Sequence, residues 1–172
     1  MEIGIPMDGP EKVFLTVKNV LGATITKGYA VALCIAGNSF DGQSAVLADS
    51  AGDNLVGFIG IAKADIADTE YGPVQCFGHA DSVLISAVGT SISIDQGEVM
   101  TPGPLAGSMT SAVLATPLTS GGGFVVCETD TNVSAASYVG GFIKCLLPFI
   151  GYFLGERQLS LKNCIGAENV IQ

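Results

Sequence analysis

Short apolar runs recur along this chain roughly every ten residues, each bounded by Gly, Asp, Ser or Pro. In "VFLTVK", Val13, Leu15 and Val17 share one face while Phe14, Thr16 and Lys18 share the other, which is the two-residue period of a β-strand. "YAVALCI" (Tyr29–Ile35) follows, then the turn-rich "AGNSFDGQS" and "AVLA". The Asp41-Gly42 pair between these runs predicts a hairpin, because it supplies the positive φ that a tight reversal needs. "LVGFIGIA" (Leu55–Ala62) is apolar on both faces and predicts a central strand covered on both sides. "PVQCFG", "SVLISA", "TSISI", "SAVLAT" and "GFVVCE" continue the series. No segment before residue 138 sustains a 3.6-residue period. The pattern predicts an all-β fold, a compact barrel or sandwich.

One internal echo stands out. "ITKGYAV" (Ile25–Val31) and "IDQGEVM" (Ile94–Met100) share Ile-x-x-Gly-x-x-apolar, as two reversals of similar design would. The ends of the chain differ from its middle. "MEIGIPMDGPEK" carries Pro6 and Pro10 and predicts an N-terminal arm over residues 1–12. Residues 13–137 form the β-rich body. From residue 138 the chain turns apolar and then mixed, with Pro148 breaking any long helix. That stretch, 138–172, reads either as the last strands of the core or as an apolar extension that docks on a neighbour.

Composition narrows the function. Charged residues are 13% of the 172, against about 25% in ordinary soluble domains. So few charges leave apolar surface to be buried against other chains, which predicts a homo-oligomer. A net charge of −9 with no basic cluster argues against nucleic acid and against polybasic membrane attachment. The run "CLLPFIGYFLG" (Cys145–Gly155) is about half a membrane span, and the N-terminus lacks a signal-peptide pattern. A protein made and kept in a cytoplasm is expected. Its five cysteines, Cys34, Cys76, Cys127, Cys145 and Cys164, have no close pair and read as reduced, buried thiols.

Candidate chemistry is sparse. The one histidine, His79, lies three residues from Cys76, and an extended strand would put the two on opposite sides. Asp65, Asp68 and Glu70 cluster, as do Asp49 and Asp53, in turn-like segments where Asp bonds its own backbone. Neither "DTEYG" nor "DSAGDN" has the Asp spacing and closing Glu of a calcium loop. "GFIGIA" lacks the third glycine and the helix of a dinucleotide site. No catalytic, metal or cofactor residues are assigned.

Val56–Met100, "VGFIGIAKADIADTEYGPVQCFGHADSVLISAVGTSISIDQGEVM", resembles the small bacteriophage capsid decoration, or cement, proteins, a family first described as a domain of unknown function. The matching elements are Val56–Ala62, Asp65-Ile66-Ala67, Glu70 with Gly72, Val74–Gly78 and Ile94–Val99, with "ITKGYAVAL" upstream. The resemblance covers roughly residues 20–103. It implies a compact β-domain, usually trimeric, on the outside of a phage head, with the major capsid protein as partner and no enzymatic activity. It also implies an N-terminal arm on the shell, whose residues here are Ile3, Ile5, Pro6 and Met7. Such an arm adds a strand to an exposed edge, with Ile3 and Ile5 on one face. The other readings are a head fibre base or minor spike and, from another class, a hydrolase using Cys76. In this frame the glycines and acids of Val56–Gly78 are turn and packing positions.

Overall fold

The structure is a computed structural model that describes residues 12–34, 41–50, 57–86, 92–111, 122–128, 130–133 and 136–145. The arm residues Ile3, Ile5, Pro6 and Met7, and the chain beyond 145, lie outside them. Eleven strands appear: β1 (Val13–Asn19), β2 (Ala30–Leu33), β3 (Ser44–Leu47), β4 (Phe58–Ala62), β5 (Tyr71–Ser86), β6 (Ile92–Ile94), β7 (Val99–Pro102), β8 (Met109–Ser111), β9 (Gly122–Val126), β10 (Asp130–Val133) and β11 (Ala136–Cys145). The described residues contain no helix. The all-β expectation holds.

Nine strands hydrogen-bond in the order β1-β3-β2-β4-β5-β11-β9-β7-β8, and further pairings β1–β5 and β5–β8 fold this sheet back on itself. Two five-stranded rings result, and β5 belongs to both. In the first ring, β5 pairs with β1 from Val13↔Phe77 to Lys18↔Tyr71 and with β4 at Ile61↔Gln75 and Ala62↔Val74. In the second, it pairs with β11 from Ala136↔Ser86 to Lys144↔Phe77 and meets β8 at Ile85↔Met109. β6 and β10 form a separate antiparallel pair.

Side chains sort themselves to these rings by the two-residue period. Val17, Val31, Leu33, Ala45, Ile59, Ala62, Val74 and Cys76 fill the first, with Ile25 and Ile66 closing one end. Val83, Ile85, Met100, Met109, Phe124, Val126, Val139 and Ile143 gather in a second cluster. Ala30, Ala32, Phe58 and Ile61 also join that second cluster. Strands β2 and β4 are therefore buried on both faces, as an apolar run without alternation requires. Each fully buried Ile or Phe contributes roughly 1.5–3 kcal/mol.

Two irregularities correct the simple reading. A bulge shifts the phase of β4: Val31 pairs with Gly60 and Ala32 with Phe58, so Phe58 and Ile61, three residues apart, share the second cluster. Gly60 sits at φ 150°, and a Cβ there would lie 2.1 Å from the Gln75 carbonyl oxygen, so only glycine fits. The register of β1 against β5 also shifts between Val13↔Phe77 and Phe14↔Gln75, which leaves Cys76 as the extra residue on β5, and Val13 at the start of β1 is exposed where Val17 is buried.

"PVQCFG" and "SVLISA", read as two strands, are one strand of 16 residues. Gly78 adopts φ 95° yet still pairs with Ile143, so it bends the strand without ending it. Ala136–Cys145 continues as one strand across position 138, where the composition changes, paired with β5 from Ala136 to Lys144 and with β9 from Gly141 to Cys145.

Candidate functional site

Glycines and acids in the Val56–Gly78 segment build one end of the first ring. Ile25 and Ile66 exchange backbone bonds in both directions, at 3.0 and 2.9 Å, and both are fully buried. Around them two loops clasp each other. Asp65 Oδ1 accepts the Lys27 amide at 2.7 Å, and Asp68 Oδ1 accepts the Gly22 amide at 2.9 Å. The sequence reading had these carboxylates bonding their own backbone. They bond a loop some forty residues away instead. Asp41 does behave locally, accepting the amides of Ser44 and Gln43 and the Ser44 hydroxyl. Those bonds, the Ser44 amide first, hold its carboxyl down at about 2.

At the centre of the clasp is Asn19, fully buried at the end of β1. Its Nδ2 donates to the Ala23 and Ile66 carbonyls at 2.7 and 2.8 Å, and its Oδ1 accepts the Leu21 amide at 2.8 Å. Its own backbone N–H donates to Glu70 and its carbonyl accepts from Thr69. Nothing in the sequence pattern marks this residue beyond its place after a strand.

The internal echo is structural. In both copies a buried Ile precedes a turn closed by an i+3 amide: Tyr29 to Thr26 at 3.2 Å and Glu98 to Asp95 at 3.0 Å. Gly28 and Gly97 occupy the third turn position with φ 87°, the signature of a type II turn. A third copy follows Ile66, where the Glu70 amide bonds Ala67 at 3.1 Å. It escaped the pattern because Thr69, at φ 65°, stands where the others have Gly.

The Cys76–His79 pair is not assembled for chemistry. Cys76 points into the first ring, its thiol bonded weakly to the Val74 carbonyl at 3.6 Å and pushed up to about 11 by burial. The thiol therefore stays protonated at neutral pH. His79 is half-buried, with Nδ1 3.3 Å from Asp81 Oδ1, and Asp81 also faces Lys63 Nζ at 3.8 Å. The expectation of uniformly buried thiols needs correction: Cys76 is buried and Cys34 half-buried, but Cys127 is exposed, because it lies just past the end of β9. Among the described residues no group of three His, Cys, Asp or Glu side chains could hold a metal ion.

Among its charged and polar residues the surface also carries large exposed apolar side chains. On the first ring Phe14 is 45% and Tyr71 59% exposed; Phe14 pairs with Gln75 and Tyr71 with Lys18, with Thr16↔Pro73 between the two pairs, and Val13 and Val20 are exposed nearby in sequence. Phe77 and Phe142 meet edge to face at 5.0 Å. A second apolar area follows the seam between the rings. Tyr138, 49% exposed, packs its ring on Gly28, while Tyr29 and Leu47 pack on Gly107, two residues past the exposed Leu105. Phe14, Tyr71 and Tyr138 thus stay largely exposed on a chain in which 13% of residues are charged.

No protein-family model matches the chain, and no curated protein matches it significantly. Among solved structures, one similar chain is the crystal structure of the head fiber gp8.5 N base in bacteriophage phi29. It is 16% identical, with a TM-score of 0.45 over 78% of this chain and 95% of that one. Similarity at that level leaves the function of this chain to be argued from its own residues.

Proposed function

We propose that this is a non-enzymatic structural protein of a phage particle. In this reading it binds the outer surface of the head and stabilises the shell by bridging neighbouring copies of the major capsid protein. The observation that carries the reading is the exposed aromatic face at Phe14 and Tyr71, joined by the seam around Tyr138 and Leu105, on an all-β body. The motifs between Val56 and Met100 that resemble capsid decoration proteins support the same assignment. Stabilisation follows from mass action: a ligand that binds only the assembled shell lowers the free energy of that state, by RT ln(1 + [L]/Kd) per site.

Self-association, most simply as a trimer, buries one of the two faces and leaves the other for the shell. The arm residues Ile3, Ile5, Pro6 and Met7 add an extended contact to a strand edge of the capsid. The test is co-sedimentation with isolated heads, read together with light scattering. Phe14→Asp with Tyr71→Asp, and separately Tyr138→Asp with Leu105→Asp, should each abolish one readout: oligomer mass or head binding, the latter by tenfold or more. Deleting residues 1–12 should weaken head binding at least tenfold and leave the oligomer intact. If all three variants bind heads like the full chain and keep its mass, the proposal fails. Copy number per major capsid protein in purified particles separates a bridging protein, present in hundreds, from a fibre base present in few.

A further inference from the structure

Where β5 passes from one ring to the other, the side chain of Gln75 lies folded along its own strand. It is 1% exposed. Its Nε2 donates to the Phe77 carbonyl at 3.3 Å and to the His79 carbonyl at 3.0 Å, which uses both amide hydrogens. Those two bonds fix the orientation of the amide, since a flipped group would set Oε1 against two carbonyl oxygens. Oε1 is then an acceptor facing away from them. Among the described residues it is the buried side-chain polar atom that has no hydrogen-bond partner. Leaving such an acceptor unpaired costs on the order of 1–3 kcal/mol.

A partly open pocket of about 30 Å³ adjoins Gln75, lined by Lys27, Lys63, Asp81 and Ser82 together with Ile61, Ala62 and Ala80. It exceeds the ~10–15 Å³ that one water needs, and is too small for an organic ligand. The lining also has the right polarity. A water that donates to Oε1 needs two or three further polar partners, and Lys27, Lys63, Asp81 and Ser82 are the lining residues whose side chains carry such donors and acceptors. We propose that this cavity is a specific hydration site, holding an ordered water that donates to Gln75 Oε1 and ties the crossing of β5 to the loops at Lys27 and Lys63. The seam between the two rings is thus closed by solvent as well as by side chains.

The deciding measurement is a crystal structure of the full chain at a resolution that orders internal solvent, paired with water oxygen-17 relaxation dispersion in solution. Expected are a water about 2.7–3.2 Å from Oε1 and a long-lived water signal that Gln75→Leu removes. Direct pairing of Oε1 with a lysine Nζ or with Ser82 Oγ overturns the proposal. So does a dry cavity, or an unchanged dispersion signal in the variant. Should Gln75→Leu fail to fold, Ser82→Val crowds the cavity and keeps the amide; it must likewise remove the signal, and a signal that persists refutes the site.

Discussion

The two rings share a strand but are held together differently. The first is filled by small and β-branched side chains, with Val17, Val31, Ile59 and Val74 at its centre, and one end is locked by the polar clasp of Asn19, Asp65 and Asp68. The second is also largely β-branched, with Val83, Ile85, Val126, Val139 and Ile143, but adds the larger Met100, Met109 and Phe124, and it takes Ala30, Ala32, Phe58 and Ile61 from the outer side of the first. Its closure to β5 is one pair, Ile85↔Met109, whereas the first ring closes through six pairs between β1 and β5. The difference teaches that the first ring supplies a wall on which the second is built. Stability should then be asymmetric: damage to the first ring spreads, and damage to the second stays local.

The largest effect expected is from Gly60→Ala. Its Cβ would meet the Gln75 carbonyl, backbone against backbone, so the pairing of β4 with β5 must open and both clusters lose a wall. A loss of about 4 kcal/mol or more is expected in urea unfolding, with exchange protection falling in both rings. Phe124→Ala comes next, at about 3–5 kcal/mol. Amide exchange should then open β7, β8 and β9 while β1 to β4 stay protected. Equal loss of protection in both rings would break the proposed asymmetry.

Thr69→Gly sharpens the comparison from the other direction. A β-branched residue at φ 65° costs roughly 1–2 kcal/mol, partly offset by the entropy that glycine brings to the unfolded chain. A net gain of about 0.5–1 kcal/mol is expected, carried by the first ring. A loss would mean that the Thr69 side chain makes a contact worth more than the strain. The smallest effect belongs to Asp41. Its carboxyl titrates at about 2 in the folded protein, below its ordinary 3.8, so the stability it contributes is present above about pH 4 and is lost as pH falls toward 2. Asp41→Asn should flatten that part of the acid-unfolding profile and leave the rest unchanged.

Much of the first ring could be read from the chain, because its signals are local. The alternation at Leu15 and Val17 and the two-faced run at Phe58–Ala62 each follow from neighbours within a few residues; the antiparallel β2–β3 pair expected around Asp41-Gly42 is present, but Leu33↔Ala45 makes its connection longer than a tight turn. What could not be read is what depends on distance. Nothing near Gly78 says that the strand continues, since its partner Ile143 lies far along the chain. The carboxylates of Asp65 and Asp68 look like local turn chemistry until the folded chain brings Lys27 and Gly22 to them. Asn19 and Gln75 are ordinary polar residues in sequence, and only burial gives them their roles.

The strand common to both rings has a further consequence while the chain is being made. Every strand of the first ring has been synthesised once β5 is complete at Ser86. The strand that covers the second half of β5 ends at Cys145, roughly sixty residues later, or on the order of 3–12 s at the usual ~5–20 residues per second. For that interval Gly78–Ser86 can emerge on an already closed ring with one hydrogen-bonding edge waiting. A nascent chain in this state presents an open β-edge to its neighbours on the same message. Ribosomes stalled between residues 86 and 136 would therefore carry the most adhesive form of this protein.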